Sequence, residues 1–178
     1  MSAALNPSRT DPRPLGVAVA GLGFGEAVHL PALRDCPLTE PVALWHPRQE
    51  RLDQATATTG LAGFTDFDDL LADPSIDAVY IPLPNHLHVE WTLKAIAAGK
   101  HVLTEKPIAM QASEIETLIA ARDKSGLLVA EAYMIVHHPQ WIRARELVQG
   151  GAIGKLKHID AFFSYNNEDE PANIRNRP

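Results

Sequence analysis

The feature that most narrows the fold is LGVAVAG (15–21) running straight into Leu22-Gly23-Phe24-Gly25. Small and β-branched apolar residues without polar alternation read as a strand buried on both faces, the habit of parallel sheets. Parallel neighbours need long crossovers, usually helices, so strand and helix should alternate along the chain. They do: PVALWH (41–46), DAVYIPL (77–83), HVLTEKP (101–107) and LLVAEAY (127–133) read as further strands. Helical stretches lie at 23–36, 47–60, 65–74, 85–100 and 111–125, with Pro47 placed near the first turn of the second, and His138-Pro139 opens another helix through Gln149. Apolar periodicity turns Val89, Leu93, Ile96 and Ala97 inward on one helix, and Ile115, Leu118 and Ile119 on the next. The expected class is α/β, a doubly wound parallel sheet.

Residues 1–14 mix Pro, Ser, Arg and Asp without periodicity and read as a disordered leader, ahead of a strand–helix domain over 15–150. From 151 the pattern changes. KLKHIDAFFSY (155–165) reads as one long strand with Ile159, Ala161, Phe163 and Tyr165 on a shared face. The polar stretch after Tyr165 is too short to complete a sheet of the usual four to six or so strands, so 151–178 is expected to be the first strand of a truncated C-terminal α/β domain. Sixteen Lys and Arg against 22 Asp and Glu leave a net charge of −6, which argues against a nucleic-acid partner, since phosphate neutralisation needs a basic face. Cys36 is the only cysteine, so neither an internal disulfide nor a Cys-based zinc site is expected. No apolar run approaches the roughly 18 residues of a membrane span, and the first residues lack a secretory apolar core. These readings describe a soluble, cytoplasmic chain with no metal site and no membrane partner.

A glycine-rich turn between a buried strand and a helix suits a dinucleotide, with Gly21, Leu22, Gly23, Phe24 and Gly25 around its pyrophosphate. Glycine lets the chain turn sharply and the backbone approach the anion, while the helix start offers free N–H groups. The pattern G-x-G-x-x-G would put a third glycine at Glu26, so Gly25 is expected to make the close helix–strand contact one residue early. NAD-binding relatives of this architecture carry an acidic residue about 20 positions on, holding the ribose 2′-OH. Here the second strand ends in Trp45-His46-Pro47-Arg48. Arg48 can pair with a 2′-phosphate, His46 can add a hydrogen bond, and Trp45 or Arg48 can cover the adenine. NADP is favoured and NAD stays open, as does the plain alternative that Arg48 is a solvated first-turn residue. Ligands of such sheets sit beyond the carboxyl ends of the strands. Leu83, Pro84, Asn85 and His88 follow one strand, and Glu105, Lys106 and Pro107 another.

The segments GLGFGEAVHLPALR, IPLPNHLHVEWTLKAIAAGKHVLTEKP and EAYMIVHHPQW resemble the Gfo/Idh/MocA family of oxidoreductases. The resemblance covers about 15–178, and within the family it is similar to the branch of NADP-dependent D-xylose 1-dehydrogenases and dihydrodiol dehydrogenases. It implies a Rossmann-type domain followed by an α/β domain that mediates homo-oligomers of an intact chain. It implies hydride transfer between a sugar or diol CH–OH and nicotinamide, with Lys106 touching substrate and handling the hydroxyl proton. A partly desolvated lysine beside a positive ring is suited to that work. It also places Pro84 and Asn85 along the cofactor and His88 near it. Glu105 orients the nicotinamide ribose, orients Lys106, or makes a structural hydrogen bond; Pro107 is a candidate cis proline that aims Lys106. Tyr133 either reaches the site or packs in the core, and His29 is read as structural. His137 and His138, being adjacent, do not share a helix face and form no i, i+4 metal pair; His138 is read as a helix cap. The competing reading is a non-catalytic dinucleotide-binding fragment or redox-sensing module. A methyltransferase would want an acidic end to the second strand and no lysine at 106.

Overall fold

The computed structural model describes residues 13–164. Most of the leader, and Tyr165 with the polar tail, lie outside the described residues. Six parallel strands, β1 (Leu15–Ala20), β2 (Thr39–Trp45), β3 (Ala62–Phe64), β4 (Ala78–Ile81), β5 (His101–Glu105) and β6 (Val129–Ala132), form one sheet in the order β3-β2-β1-β4-β5-β6. This is the Rossmann strand order. β3 is an element that the sequence reading lacks: at three residues it is too short to show a period.

A π-helical turn at Gly25–His29 leads into α1 (Leu30–Asp35), followed along the chain by α2 (Gln49–Thr59), α3 (Phe67–Ala72), α4 (His88–Ala97), α5 (Ala112–Ser125) and α6 (Pro139–Gln149). Successive strand residues point to opposite faces, and two cores result. Val17, Val19, Leu44 and Tyr80 meet Leu30 of α1 and Leu52 and Ala55 of α2. On the other face Ala18, Trp45, Val79, Ile81 and Val102 meet Phe67 and Leu70 of α3 and Ala95 and Ile96 of α4. Leu44 and Leu70 are wholly buried, each worth about 1.5–3 kcal/mol of transfer free energy. Helices after β1 and β2 thus lie on one face, those after β3 and β4 on the other. The reversal falls between β1 and β4, the switch point where open α/β sheets part to admit a ligand.

Local chemistry fixes the helix ends. The Asp66 side chain accepts from the amides of Asp68 (2.7 Å) and Asp69 (3.3 Å) at the start of α3. Gln111 and Glu114 close a capping box on α5. Gly60 ends α2 with φ +74°, a left-handed cap that glycine adopts without strain.

Three expectations are corrected. On α4 the buried residues are His88, Thr92, Ala95 and Ile96, while Ala97 is exposed, so the inward face is turned by one residue from the apolar one. On α5 only Leu118 is buried; Ile115 and Ile119 remain 42% and 43% exposed. Residues 155–164 form no strand, with Phe162 92% exposed. A strand needs a partner's ladder, and the sheet ends at β3 and β6 without them. The first compact unit ends at Tyr133. The second begins at Met134 and contains α6, whose start is capped by His138 Nδ1 accepting from the Gln140 amide at 3.2 Å. Among the described residues no helix is long and apolar enough to cross a membrane.

Candidate functional site

All six strands run parallel, so the loops after β1, β2, β4 and β5 open along one edge of the sheet. The loop after β1 requires its glycines for separate reasons. Gly21 has φ +137°, a conformation open to glycine and strained for other residues. At Gly25 a Cβ would stand 2.8 Å from both Pro82 Cγ and Val19 Cγ1, so the helix packs against β1 and the end of β4 only because that atom is absent. The early close contact expected of Gly25 is therefore present. Gly23 differs: a Cβ there would meet nothing within 4 Å, leaving its flank open for a ligand. The first helical bond runs from the Ala27 amide to the Gly23 carbonyl at 3.2 Å. Amides ahead of it have no intrahelical acceptor and carry the positive end of the helix. Leu22 turns its side chain into the core, 4% exposed, so only its backbone borders the crevice; Phe24 is exposed.

At the end of β2, His46 Nδ1 accepts from the Arg48 amide at 3.1 Å. In the neutral ring this puts the proton on Nε2, a donor facing away from the turn. Arg48 is the N-cap of α2 rather than a first-turn residue, Pro47 precedes it, and its exposed guanidinium makes no hydrogen bond or ion pair among the described residues. Trp45 is corrected: it is buried between Phe67 and Trp91, and its indole N–H donates to the Thr65 carbonyl at 3.1 Å, so it cannot cover an adenine.

Beyond β4, Leu83 is partly buried while Pro84 and Asn85 are exposed, Asn85 opening a short 3-10 turn into α4. His88 is corrected as a direct cofactor contact. Its ring is fully buried, with Nδ1 2.7 Å from the Pro107 carbonyl oxygen and Nε2 2.7 Å from that of Leu83. Beyond β5, Glu105 accepts from the Tyr80 hydroxyl at 2.9 Å and from the Lys106 amide at 3.1 Å. The Lys106–Pro107 peptide is cis. The ammonium of Lys106, partly buried, has no partner among the described residues. Next along the loop, the Ile108 amide donates to Glu131 at 3.0 Å. Tyr133 is 48% exposed, so the core-packing alternative for it fails.

A cluster that sequence reasoning missed lies beside this loop. The His29 ring stacks on Tyr80 with centroids 4.3 Å apart, and its Nε2 is 3.8 Å from Glu105. Burial lowers the His29 pKa against a smaller upward pull from Glu105. Burial also drives the Tyr80 phenol far above its ordinary range, helped by its bond and charge contact with Glu105. Tyr80 therefore stays a hydrogen-bond donor, and Glu105 is held as the acceptor that shapes the Lys106 turn.

The Gfo/Idh/MocA profile, an oxidoreductase family with an NAD-binding Rossmann fold, matches residues 15–133. A dTDP-3,4-didehydro-2,6-dideoxy-alpha-D-glucose 3-reductase from Streptomyces violaceoruber is 40% identical over 153 residues, 85% of this chain and 45% of the relative. The D-xylose 1-dehydrogenase (NADP(+)) 2 of Haloferax volcanii is 40% identical over 112 residues, 63% of this chain and 34% of the relative. The crystal structure of a 3-ketoreductase from Actinomadura kijaniata with NADP and TDP-benzene superposes with a TM-score of 0.72 at 38% identity, covering 78% of this chain and 43% of that one. The chain spans about half the length, or less, of the curated relatives it matches. The match runs through the whole sheet and every loop of the crevice, and the chain belongs to the Gfo/Idh/MocA family of oxidoreductases.

Proposed function

We propose that the chain is the cofactor-binding part of an NADP-dependent oxidoreductase that interconverts a CH–OH and a C=O on a sugar or diol. One observation carries the reading: the glycine turn after β1 and the Glu105-Lys106-Pro107 loop after β5 open on the same sheet edge, on either side of β4. The residues suit a dinucleotide. The open flank of Gly23 and the free amides of the helix start would take the pyrophosphate. Arg48, with the Nε2–H of His46, would take a 2′-phosphate, and the exposed Pro84 and Asn85 would border the nicotinamide half. When bound, nicotinamide supplies the hydride acceptor or donor.

The protein's own task is to place substrate and manage a proton. Lys106 carries it: its ammonium, without a partner among the described residues, can hold the substrate oxygen and pass a proton as carbinol and carbonyl interconvert. Glu105 and Tyr80 are positioning residues, since Glu105 spends its oxygens on the Tyr80 hydroxyl and the Lys106 amide. The names of the relatives favour a sugar over other diols, and among sugars a keto sugar that is reduced. The lone Cys36 suits a reducing cytoplasm. A homo-oligomer is proposed for an intact chain only.

Fluorescence titration with NADPH and NADH tests the cofactor. NADPH should bind the chain more tightly, and Arg48→Ala should weaken it about 10- to 100-fold, the value of a charge-assisted contact. NADH should change by no more than about twofold on the same scale. Equal losses for both nucleotides would refute the phosphate role of Arg48, and binding of neither by the unaltered chain would sink the whole reading.

A further inference from the structure

The fully buried imidazole of His88 stands 2.7 Å from the Leu83 carbonyl on one side and 2.7 Å from the Pro107 carbonyl on the other. Those two oxygens belong to the loops after β4 and β5, neighbouring lips on the edge where the crevice opens. We propose that His88 is a positioning residue that sets the spacing of these lips, and through Pro107 the place of Lys106. The proposal rests on the reading of the crevice as a dinucleotide site.

A carbonyl oxygen only accepts. The ring donates to whichever carbonyl faces its N–H, and either tautomer keeps the imidazole wedged between the two loops. One turn further along α4, the Thr92 and Thr104 hydroxyls meet at 2.6 Å, a second buried polar tie between α4 and β5. The loop is also gripped at Lys106, whose amide donates to Glu105 at 3.1 Å, and at Ile108, whose amide donates to Glu131 at 3.0 Å. Backbone groups of residues 106, 107 and 108 are thus each held by a side chain from a different element, while the Lys106 ammonium is left without a partner among the described residues. Of the three grips only His88 also reaches the loop after β4.

The experiment uses the 178-residue chain with His88→Gln, which keeps a donor near the Nε2 position, His88→Asn, which keeps one near Nδ1, and His88→Phe, which keeps neither. Two probes report the two halves of the crevice: NADPH spans both, and adenosine 2′,5′-bisphosphate occupies only the adenosine half, at the ends of β1 and β2. His88→Gln and His88→Asn should each weaken NADPH about tenfold or more, while the bisphosphate shifts by no more than about twofold. Phe should be at least as damaging; if it fails to fold, the Gln and Asn variants decide. Unchanged NADPH binding in both, or equal losses for the two probes, would overturn the proposal, the second being what simple loss of folded protein gives. Failure of the unaltered chain to bind either probe would instead refute the dinucleotide reading beneath it.

Discussion

Gly23→Ala and Gly25→Ala add the same methyl group two positions apart, yet they should fail in opposite ways. At Gly25 the new Cβ would lie 2.8 Å from Pro82 Cγ and 2.8 Å from Val19 Cγ1. Neither neighbour yields easily: the proline ring is rigid, and Val19 is wholly buried near the end of β1. Both contacts are roughly an ångström inside ordinary carbon–carbon separation, so the turn must lift off the sheet at an overpacking cost of about 1–3 kcal/mol. For a domain of this size that lowers Tm by about 4–12 °C. At Gly23 the Cβ would meet no atom within 4 Å, and the backbone there does not lie in the left-handed region. Stability should stay within about 1 kcal/mol, and replacing glycine at a compatible position can raise it slightly. The methyl group would instead occupy the flank proposed for the pyrophosphate, and NADPH affinity should fall at least about tenfold. Urea unfolding and calorimetric NADPH titration of both variants give the two readouts. A Gly25→Ala chain as stable as its parent would disprove the packing argument, and a Gly23→Ala chain that binds NADPH normally would disprove the phosphate site.

The network beneath Lys106 makes two further predictions. Burial lowers the His29 pKa below its ordinary 6.5; the folded chain then binds fewer protons than the unfolded one, so the contribution of His29 is fully present above the unfolded value and is lost as pH falls through the window below 6.5. His29→Phe keeps a ring against Tyr80 and should flatten that acid-side loss, measured as the difference between the two unfolding curves at neutral and mildly acidic pH; an unchanged difference would refute the role. Tyr80→Phe removes the donor to Glu105 at 2.9 Å, and should cost about 1.5–3 kcal/mol in urea unfolding, the range for a bond to a charged group. A loss near zero would mean that solvent replaces the phenol.

Much of the fold is written locally. The strands β1, β2, β4, β5 and β6 follow from apolar runs, and the turn after β1 from three glycines with three separate needs: a φ of +137° at Gly21, an open flank at Gly23, a tight contact at Gly25. The hidden features need partners distant along the chain. Trp45, at the end of β2, looks free to meet an adenine, yet Phe67 and Trp91 from α3 and α4 enclose it. His29, Tyr80 and Glu105 come from three segments and meet because β4 lies between β1 and β5 in the sheet, an order that no local pattern states. Arg48 and Lys106 were legible for the opposite reason: each follows a strand's carboxyl end, and neither needs a protein partner to be recognised there.

The one-residue turn of α4 is informative in the same way. Periodicity selects Val89, Leu93, Ile96 and Ala97 because it rewards apolar atoms, but burial goes to His88 and Thr92 along with Ala95 and Ile96. Burying unpaired polar groups is costly, so such a rotation persists only where partners exist. Thr92 finds the Thr104 hydroxyl, and His88 finds two carbonyls on the lips of the crevice. The stretch of α4 that departs from the apolar pattern is its first turn and a half, the part nearest those lips. Its far end packs Ala95 and Ile96 on the sheet as any crossover helix does, while Ala97 of the apolar pattern stays exposed. Where local rules give way, the compensation is usually a site, and here the two buried polar residues, His88 and Thr92, lie toward the end of the helix that meets the crevice.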